Sequence, residues 1–214
     1  MSKQAVIDAA RADLRYTENP PGSNMTKYGE AYGMNGEPWC VEALWYWFNE
    51  AGERMAFFGG GKTASCGMLL RWYKEQGLTV PVEDVREGDI VILNFSGTKE
   101  TQHCGLVVET YGDAIFVIEG NTSPGLEGSQ NNGGCVALKQ RNPSQIVGVC
   151  RPQYKPDDPQ IVPDYTGRWS QKYWEKGIAL GIIDEAKDGK YRPKDNATRE
   201  EVLAMILRNN GYRG

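Results

Sequence analysis

The sequence has little histidine, no paired cysteine motif and no long apolar run, and each absence excludes a class of protein. His103 is the only histidine among the 214 residues, so a metal site built from several histidines is excluded. The five cysteines form no C-x-x-C pair, which argues against zinc ribbons and thioredoxin-like redox sites. No run of about 18 apolar residues is present, and a transmembrane helix is therefore not expected.

The charge balance and the amino-terminal residues limit the partners and the location. There are 28 acidic and 24 basic residues, and the net charge of −4 argues against nucleic-acid binding, which requires a basic face. The first residues lack the apolar core of a signal peptide, so no signal peptide is predicted. An odd number of cysteines without a secretion signal also argues against a disulfide framework.

Helical patterns come first in the chain and strand patterns follow. The apolar spacing predicts helices over residues 2–15, 40–51 and 66–76. Short β-rich runs separated by Gly, Asn, Ser and Asp then predict five strands, over 89–93, 103–108, 114–119, 134–138 and 146–151. Helices followed by strands predict an α+β domain with an antiparallel sheet.

A segment rich in proline and aspartate divides the chain. Residues 153–164 have the composition of a stiff, solvated linker. This linker separates a domain over residues 1–152 from a small C-terminal module over residues 165–214. In the module, helices are predicted over residues 169–180 and 199–209.

Cys40 and His103 are the candidate nucleophile and base. Cys40 follows Pro38 and Trp39 at the predicted start of a helix, where the helix dipole and the free N–H groups favour a thiolate. A buried structural cysteine is the alternative, because free cysteines are usually buried. His103 opens a predicted strand, and strand alternation places Cys104 on the opposite face, in the core.

Glu119 and Asn121 are the candidate partners of the histidine. If the runs at 103–108 and 114–119 pair as a hairpin, Glu119 comes close to His103, where a carboxylate can fix the imidazole tautomer. Asn121 could do the same by hydrogen bonding, and surface or turn positions are the alternative for both. The order of cysteine, histidine and acid is that of a papain-like hydrolase.

Three segments resemble parts of CHAP domains, the cysteine- and histidine-dependent amidohydrolases and peptidases. Residues 36–44 are similar to their nucleophile segment, 88–107 to their histidine segment and 118–121 to their orienting segment. Residues 26–33 are similar to the lead-in of many phage lysins of this type. The resemblance covers roughly residues 1–152, and it implies a papain-like α+β fold with N-terminal helices and an antiparallel sheet.

The resemblance to CHAP domains also assigns a role to each candidate residue. It implies that Cys40 is the nucleophile and that His103 is the general base and later the acid. Glu119 would orient His103, with help from Asn121. The backbone N–H of Cys40 is a candidate oxyanion donor, and Trp39 is a candidate for lining the substrate groove. No cofactor and no catalytic metal are expected, because no Asp-rich calcium loop lies near the nucleophile.

Residues 174–201 resemble an S-layer homology (SLH) repeat. Such repeats usually occur in threes and bind anionic cell-wall polymers, so the single copy here would bind better in a homo-oligomer. The resemblance makes Arg199 the candidate polymer ligand, and an arginine paired with a carboxylate at a helix start is the alternative. Trp169, Trp174 and Tyr191 are interpreted as the core of the module, with stacking on sugars as the alternative.

Together the two resemblances imply a peptidoglycan hydrolase, an endolysin of the phage type. It would cleave the muramoyl–alanine amide or a peptide bond of the wall through a cysteine acyl-enzyme. The implied partners are peptidoglycan and a wall polymer, with no nucleic acid and no membrane. The implied location is the host cytoplasm until release and then the cell wall. A non-catalytic wall-binding protein and an acyl-transferring enzyme on the same scaffold are the alternatives.

Overall fold

The helices precede most of the strands in the first part of the chain. The structure, a computed structural model, describes residues 3–112, 114–125, 128–155, 167–180, 182–183, 190–191, 199, 202–203 and 205–206. The described helices of the first part are α1 (Lys3–Ala12), α2 (Lys27–Tyr32), α3 (Cys40–Glu50) and α4 (Cys66–Glu75). The predicted starts of α3 and α4 are confirmed. Helix α1 ends earlier than predicted, because Arg15 has a positive φ of 75° and its N–H donates to the carbonyl of Val136.

Helix α2 was not predicted, because it is short and its apolar pattern is weak. Its start is fixed by Thr26, whose hydroxyl accepts a hydrogen bond from the N–H of Gly29 at 3.0 Å. Its end is fixed by Gly33, which has a φ of 87° and donates to the Gly29 carbonyl at 2.8 Å. Both capping residues are present in the sequence and could have been used as signals.

The strands form one antiparallel sheet, which confirms the α+β prediction. In chain order they are β1 (Thr79–Val80), β2 (Ile90–Leu93), β3 (His103–Tyr111), β4 (Ala114–Thr122), β5 (Cys135–Arg141) and β6 (Ile146–Cys150). In the sheet their order is β1-β6-β2-β3-β4-β5. Strand β1 adds to the five predicted strands, and β3, β4 and β5 each extend about three residues beyond their predicted ends.

The sheet has an apolar layer on each face. On one face, Val41, Leu44 and Phe48 of α3 pack with Leu106 of β3 and Ile118 of β4. The other face carries a smaller apolar cluster, formed by Val91, Leu93, Val107, Ile115, Val117, Ile146 and Val149. Because α3 packs directly on β3 and β4, the first residue of this helix is held against the middle of the sheet.

The start of the predicted linker belongs to the first of two compact units, Met1–Asp158 and Pro159–Gly214. The ring of Tyr154 stacks on Phe48 with their centroids 5.6 Å apart. The N–H of Lys155 donates to Glu53 Oε2 at 3.1 Å. Residues 153–155 are therefore not the free linker that the composition predicted, and residues 156–164 lie outside the described part of the chain.

The described part of the second unit is helical. Helix α5 spans Gln171–Ala179, and Arg199, Val202, Leu203, Met205 and Ile206 are also helical. Trp174 and Tyr191 contact each other with ring centroids 5.7 Å apart, whereas Trp169 is 84% exposed and does not belong to a core. In neither unit does a helix, as far as residues are described, have the length and apolar character needed to cross a bilayer.

Candidate active site

Cys40 is the first residue of α3, where the sequence predicted it. Trp39 occupies the N-cap, and its carbonyl accepts the first helical hydrogen bond, from Ala43, at 2.9 Å. The N–H groups of the first helical turn have no partner within the helix, so the Cys40 sulfur lies at the positive end of the helix dipole. The residue is buried, with 6% of its surface exposed.

His103 and Glu119 meet across the ladder between β3 and β4. Leu106 pairs with Ile118, so Gly105 lies opposite Glu119 on the face that also carries His103. Nε2 of His103 and Oε2 of Glu119 are 3.1 Å apart, and both side chains are fully buried. The contact is an ion pair by distance, and His103 also interacts with the thiol of Cys40.

Arg141 holds the carboxylate of Glu119 from the other side, and sequence reasoning missed this residue. Its Nε and Nη2 atoms donate to the two oxygens of Glu119, each at 2.6 Å. The guanidinium lies 4.8 Å from the ring centre of Phe95 and donates to Gln130 Oε1 at 3.3 Å. A bidentate pair of this kind fixes the plane of the carboxylate.

Two further sulfurs lie beside Cys40. The Sγ atoms of Cys40 and Cys66 are 3.8 Å apart, and the sulfurs of Cys40, Cys66 and Cys104 all lie within 4.8 Å of one another. Cys104 is fully buried in the helix-side core, as predicted. Its proximity to Cys40 was not predicted, because it arises from the packing of α3 on β3.

The surroundings of Cys40 favour its thiolate form. Hydrogen bonds from Cys104 and Cys66, together with His103, hold the pKa of the Cys40 thiol well below its ordinary value, although burial opposes this shift. Burial and the negative Cys40 sulfur keep the pKa of the Cys104 thiol well above its ordinary value. Burial alone would lower the pKa of His103, but its contacts with Cys40 and Glu119 outweigh burial and raise the pKa to about 9.

Glu42 is a second buried acid near the nucleophile. Its side chain is fully buried, and neither carboxylate oxygen has a hydrogen-bond partner among the described residues. Burial, and then the charges of Cys40 and Glu37, raise the pKa of its carboxyl to about 8. Near neutral pH the group is therefore mostly protonated, which lowers the cost of burying it.

Asn121 and Trp39 lie close to the candidate site but contact other groups. Asn121 has a positive φ of 58°; its side chain donates to Asn132 and accepts from the N–H of Gly134. It therefore fixes the connection between β4 and β5, and no hydrogen bond joins it to His103 among the described residues. Trp39 is fully buried and stacks on Tyr28 with centroids 5.2 Å apart, so its ring does not line an open groove.

A surface groove runs along the starts of α3 and α4, which begin at Cys40 and Cys66. The groove has a volume of about 590 Å³. Two half-exposed methionines, Met34 and Met68, contribute to its lining. The other lining residues are Tyr32, Glu37, Pro38, Lys62, Thr63, Ala64 and Ser65.

A larger cavity of about 670 Å³ lies between the segment around Glu18 and strand β5, and none of the candidate catalytic residues lines it.

Arg199, the candidate polymer ligand, lies in the second unit. It is helical and exposed. The neighbouring residues 192–198 and 200–201 lie outside the described part of the chain, so the predicted Thr-Arg-Glu segment is described only at its arginine.

Comparisons with known proteins leave the family open. No protein-family model matches the chain, and no curated protein matches it. Two solved chains match, and one of them is the crystal structure of Ly7917, which is 18% identical with a TM-score of 0.42. The match covers 71% of this chain and 63% of the Ly7917 chain, so this chain spans less than two thirds of that protein.

Proposed function

We propose that the first unit is a papain-like cysteine hydrolase of the CHAP type that cleaves an amide bond of bacterial peptidoglycan. One observation carries the proposal. The only histidine of the sequence interacts with the thiol of a cysteine at a helix start and with a buried carboxylate that is 3.1 Å from its Nε2. A nucleophile, a base and an orienting acid are the three parts that this reaction requires.

The proposed reaction has two steps. The Cys40 thiolate attacks the carbonyl carbon of the amide, and the backbone N–H of Cys40 stabilises the oxyanion. The C–N bond then breaks, and the His103 imidazolium gives its proton to the leaving amine. In the second step His103 takes a proton from water, and the resulting hydroxide attacks the thioester, which releases the acid and regenerates the thiolate.

The groove at the starts of α3 and α4 is the proposed substrate site. It includes Pro38 and Ser65, which lie one or two residues before Cys40 and Cys66, so a bound peptide would pass close to the nucleophile. The apolar Met34 and Met68 and the charged Glu37 and Lys62 give it both apolar and ionic contacts. A short wall peptide with charged ends matches this chemistry.

The second unit is proposed to bind a wall polymer, as its resemblance to an SLH repeat implies. Arg199 is exposed and suited to an anionic polymer, and Trp169 and Tyr173 are 84% and 60% exposed. Exposed aromatic rings are surfaces on which sugars can stack. The proposed location follows from these two activities: the host cytoplasm before release and the cell wall afterwards.

The proposal is tested by lysis of purified walls with the variants Cys40→Ser and His103→Ala. We expect each to lose at least about a thousandfold in rate, because neither variant retains a working nucleophile–base pair. The matched control is Cys135→Ser, since the serine hydroxyl can still donate to the Thr122 carbonyl as the native thiol does. This control should keep the full rate.

The released fragments, analysed by mass spectrometry, identify the bond that is cut. A new amino group on alanine indicates an amidase, and a new amino group elsewhere in the peptide indicates an endopeptidase. Lysis that persists in Cys40→Ser would end the proposal. A product that carries an added amine would favour the acyl-transferring alternative over hydrolysis.

A further inference from the structure

We propose that the three sulfurs of Cys40, Cys66 and Cys104 form a binding site for a thiophilic divalent cation such as Zn²⁺. We define these three residues as the thiol cluster. Binding of the cation is independent of any enzymatic activity. The consequence for turnover, which is inhibition, rests on the proposed function, because Cys40 is its nucleophile.

The spacing of the thiol cluster fits a tetrahedral ion. Zinc–sulfur bonds of about 2.3 Å place neighbouring sulfurs of a tetrahedral site roughly 3.8 Å apart. The sulfurs of Cys40 and Cys66 are 3.8 Å apart, and all three lie within 4.8 Å of one another. Small changes of side-chain rotamer would therefore bring the three sulfurs to one ion, without movement of the backbone.

The three ligands come from three separate elements that are packed together. Cys40 begins α3, Cys66 begins α4 and Cys104 lies in β3. All three belong to the helix-side core of the first unit. A site held by separate, packed elements is already assembled before the ion arrives, so binding does not have to order the chain.

The charges around the thiol cluster favour a cation bound by thiolates. Cys40 and Cys66 are each the first residue of a helix, where the helix dipole favours negative sulfur. Of the three thiols only that of Cys40 has a lowered pKa in the metal-free chain, so the ion would displace the protons of Cys66 and Cys104 as it binds. Glu37 lies close enough to interact with Glu42, which is mostly protonated near neutral pH and could ionise once a cation is bound beside it. Three thiolates select zinc, cadmium or cuprous copper over calcium and magnesium, which prefer oxygen ligands.

The thiol cluster lies next to two residues of the substrate groove, because Pro38 and Ser65 come just before Cys40 and Cys66 in the chain. Cys40 is 6% exposed and Cys66 is 8% exposed, whereas Cys104 is fully buried. An ion would thus enter past the first two sulfurs, with water as its fourth ligand. It would bind the electron pair with which Cys40 attacks the substrate, so a bound ion blocks the nucleophile until a chelator removes it.

The test uses the full-length, reduced chain with Co²⁺ as the spectroscopic probe and Zn²⁺ as the competitor. We expect one equivalent of Co²⁺ to produce the charge-transfer absorption of cobalt–thiolate bonds and Zn²⁺ to abolish it. Cys66→Ser and Cys104→Ser should each weaken binding by more than about tenfold, and Cys135→Ser should leave it unchanged. Equal affinity in all three variants, or binding without thiolate absorption, would overturn the site.

A second measurement needs no variant, in case a substitution in the core prevents folding. One equivalent of Zn²⁺ should slow the alkylation of Cys40 and Cys66 in the native chain, and leave the alkylation of Cys135 unchanged. Unprotected Cys40 and Cys66 would overturn the site. If the ion binds but a saturated enzyme still lyses walls at the full rate, the inhibition is refuted. If the ion binds and the metal-free chain lyses nothing, the proposed function fails and the site stands.

Discussion

Glu119 connects the candidate site to the neighbouring strand β5, because its carboxylate contacts both His103 and Arg141. Burial alone would raise the pKa of its carboxyl, but the hydrogen bonds from Arg141 and the contact with His103 outweigh burial and lower it. The carboxylate therefore stays charged in a dry environment. Its charge both fixes the imidazole and keeps the guanidinium of Arg141 paired.

The paired carboxylate predicts a pH dependence of stability. The pKa of Glu119 is lower in the folded chain than in the unfolded chain, where a glutamate has a pKa of about 4.3. The charged carboxylate therefore stabilises the fold at pH values above the unfolded pKa. This stabilisation is lost as the pH falls through the pKa of the folded state. Arg141→Gln should therefore cost about 3–5 kcal/mol of unfolding free energy at pH 7, because Glu119 is left buried with less compensation. The cost should shrink as the pH falls through the pKa of Glu119 in the variant, which rises when Arg141 no longer lowers it, because a protonated carboxyl does not need the guanidinium.

Urea unfolding of both proteins at pH 7 and at several acidic values measures this difference. Glu109→Gln, which changes an exposed glutamate of the neighbouring strand β3, is the control and should stay within about 0.5 kcal/mol of the native chain. A cost for Arg141→Gln that does not vary with pH would mean that packing, and not charge, accounts for the role of Arg141.

At the scale of elements, the position of Cys40 depends on how closely α3 approaches β4. A Cβ atom on Gly120 would lie 2.6 Å from Ala43 Cβ and 2.8 Å from Trp39 Cζ3. Both of these atoms belong to the first part of α3 or its N-cap. The missing side chain of Gly120 thus lets the start of the helix rest on the strand that carries Glu119.

Gly120→Ala should therefore push the start of α3 away from the sheet. We expect a loss of about 1–3 kcal/mol in unfolding free energy, from overpacking, and a fall in lysis rate of at least about tenfold. Gly112→Asn is the control, because Gly112 has a φ of 55°, a region that asparagine tolerates, and open space around it. Full activity in Gly120→Ala would show that the helix start can shift without harm to the site.

Local patterns in the sequence predict the elements that carry Cys40, His103 and Glu119, but not the residues that support them. Cys40 begins helix α3 and His103 begins strand β3, and the apolar residues of both elements recur at regular spacing. Glu119 lies in the following strand, β4. Arg141 was missed because the apolar run of β5 fades after Leu138, and pairing of Arg141 with Ile115 extends the strand. Cys66 was missed because the meeting of two helix starts is a tertiary contact, which no local spacing encodes.

At the scale of the whole molecule, we expect the second unit to bind the cell wall and the first unit to carry out the hydrolysis. A chain shortened after Asp158 contains the whole first unit, including Tyr154, which stacks on Phe48. It should retain hydrolysis of soluble wall fragments while sedimenting less with purified walls. Arg199→Ala in the full chain is the point variant to compare with it, and it should show a partial loss of sedimentation.

Sedimentation of the shortened chain at the level of the full chain would refute the role of the second unit. Loss of both sedimentation and hydrolysis would instead indicate that the first unit needs the second for its fold, and the melting temperature of the shortened chain distinguishes this case. The comparison also tests the homo-oligomer that the single SLH-like repeat implied, since the full chain would then have a mass in solution that is a multiple of its 23.8 kDa, whereas the shortened chain would have the mass of one copy.

The spread of the candidate site along the chain has a consequence for synthesis. Cys40 leaves the ribosome long before His103, Glu119 and Arg141, and domains generally fold as units once they have emerged. A nascent chain therefore carries a sulfur without its base, and the proposed hydrolysis cannot begin until translation has passed β5. The producing cell would be exposed only to finished molecules.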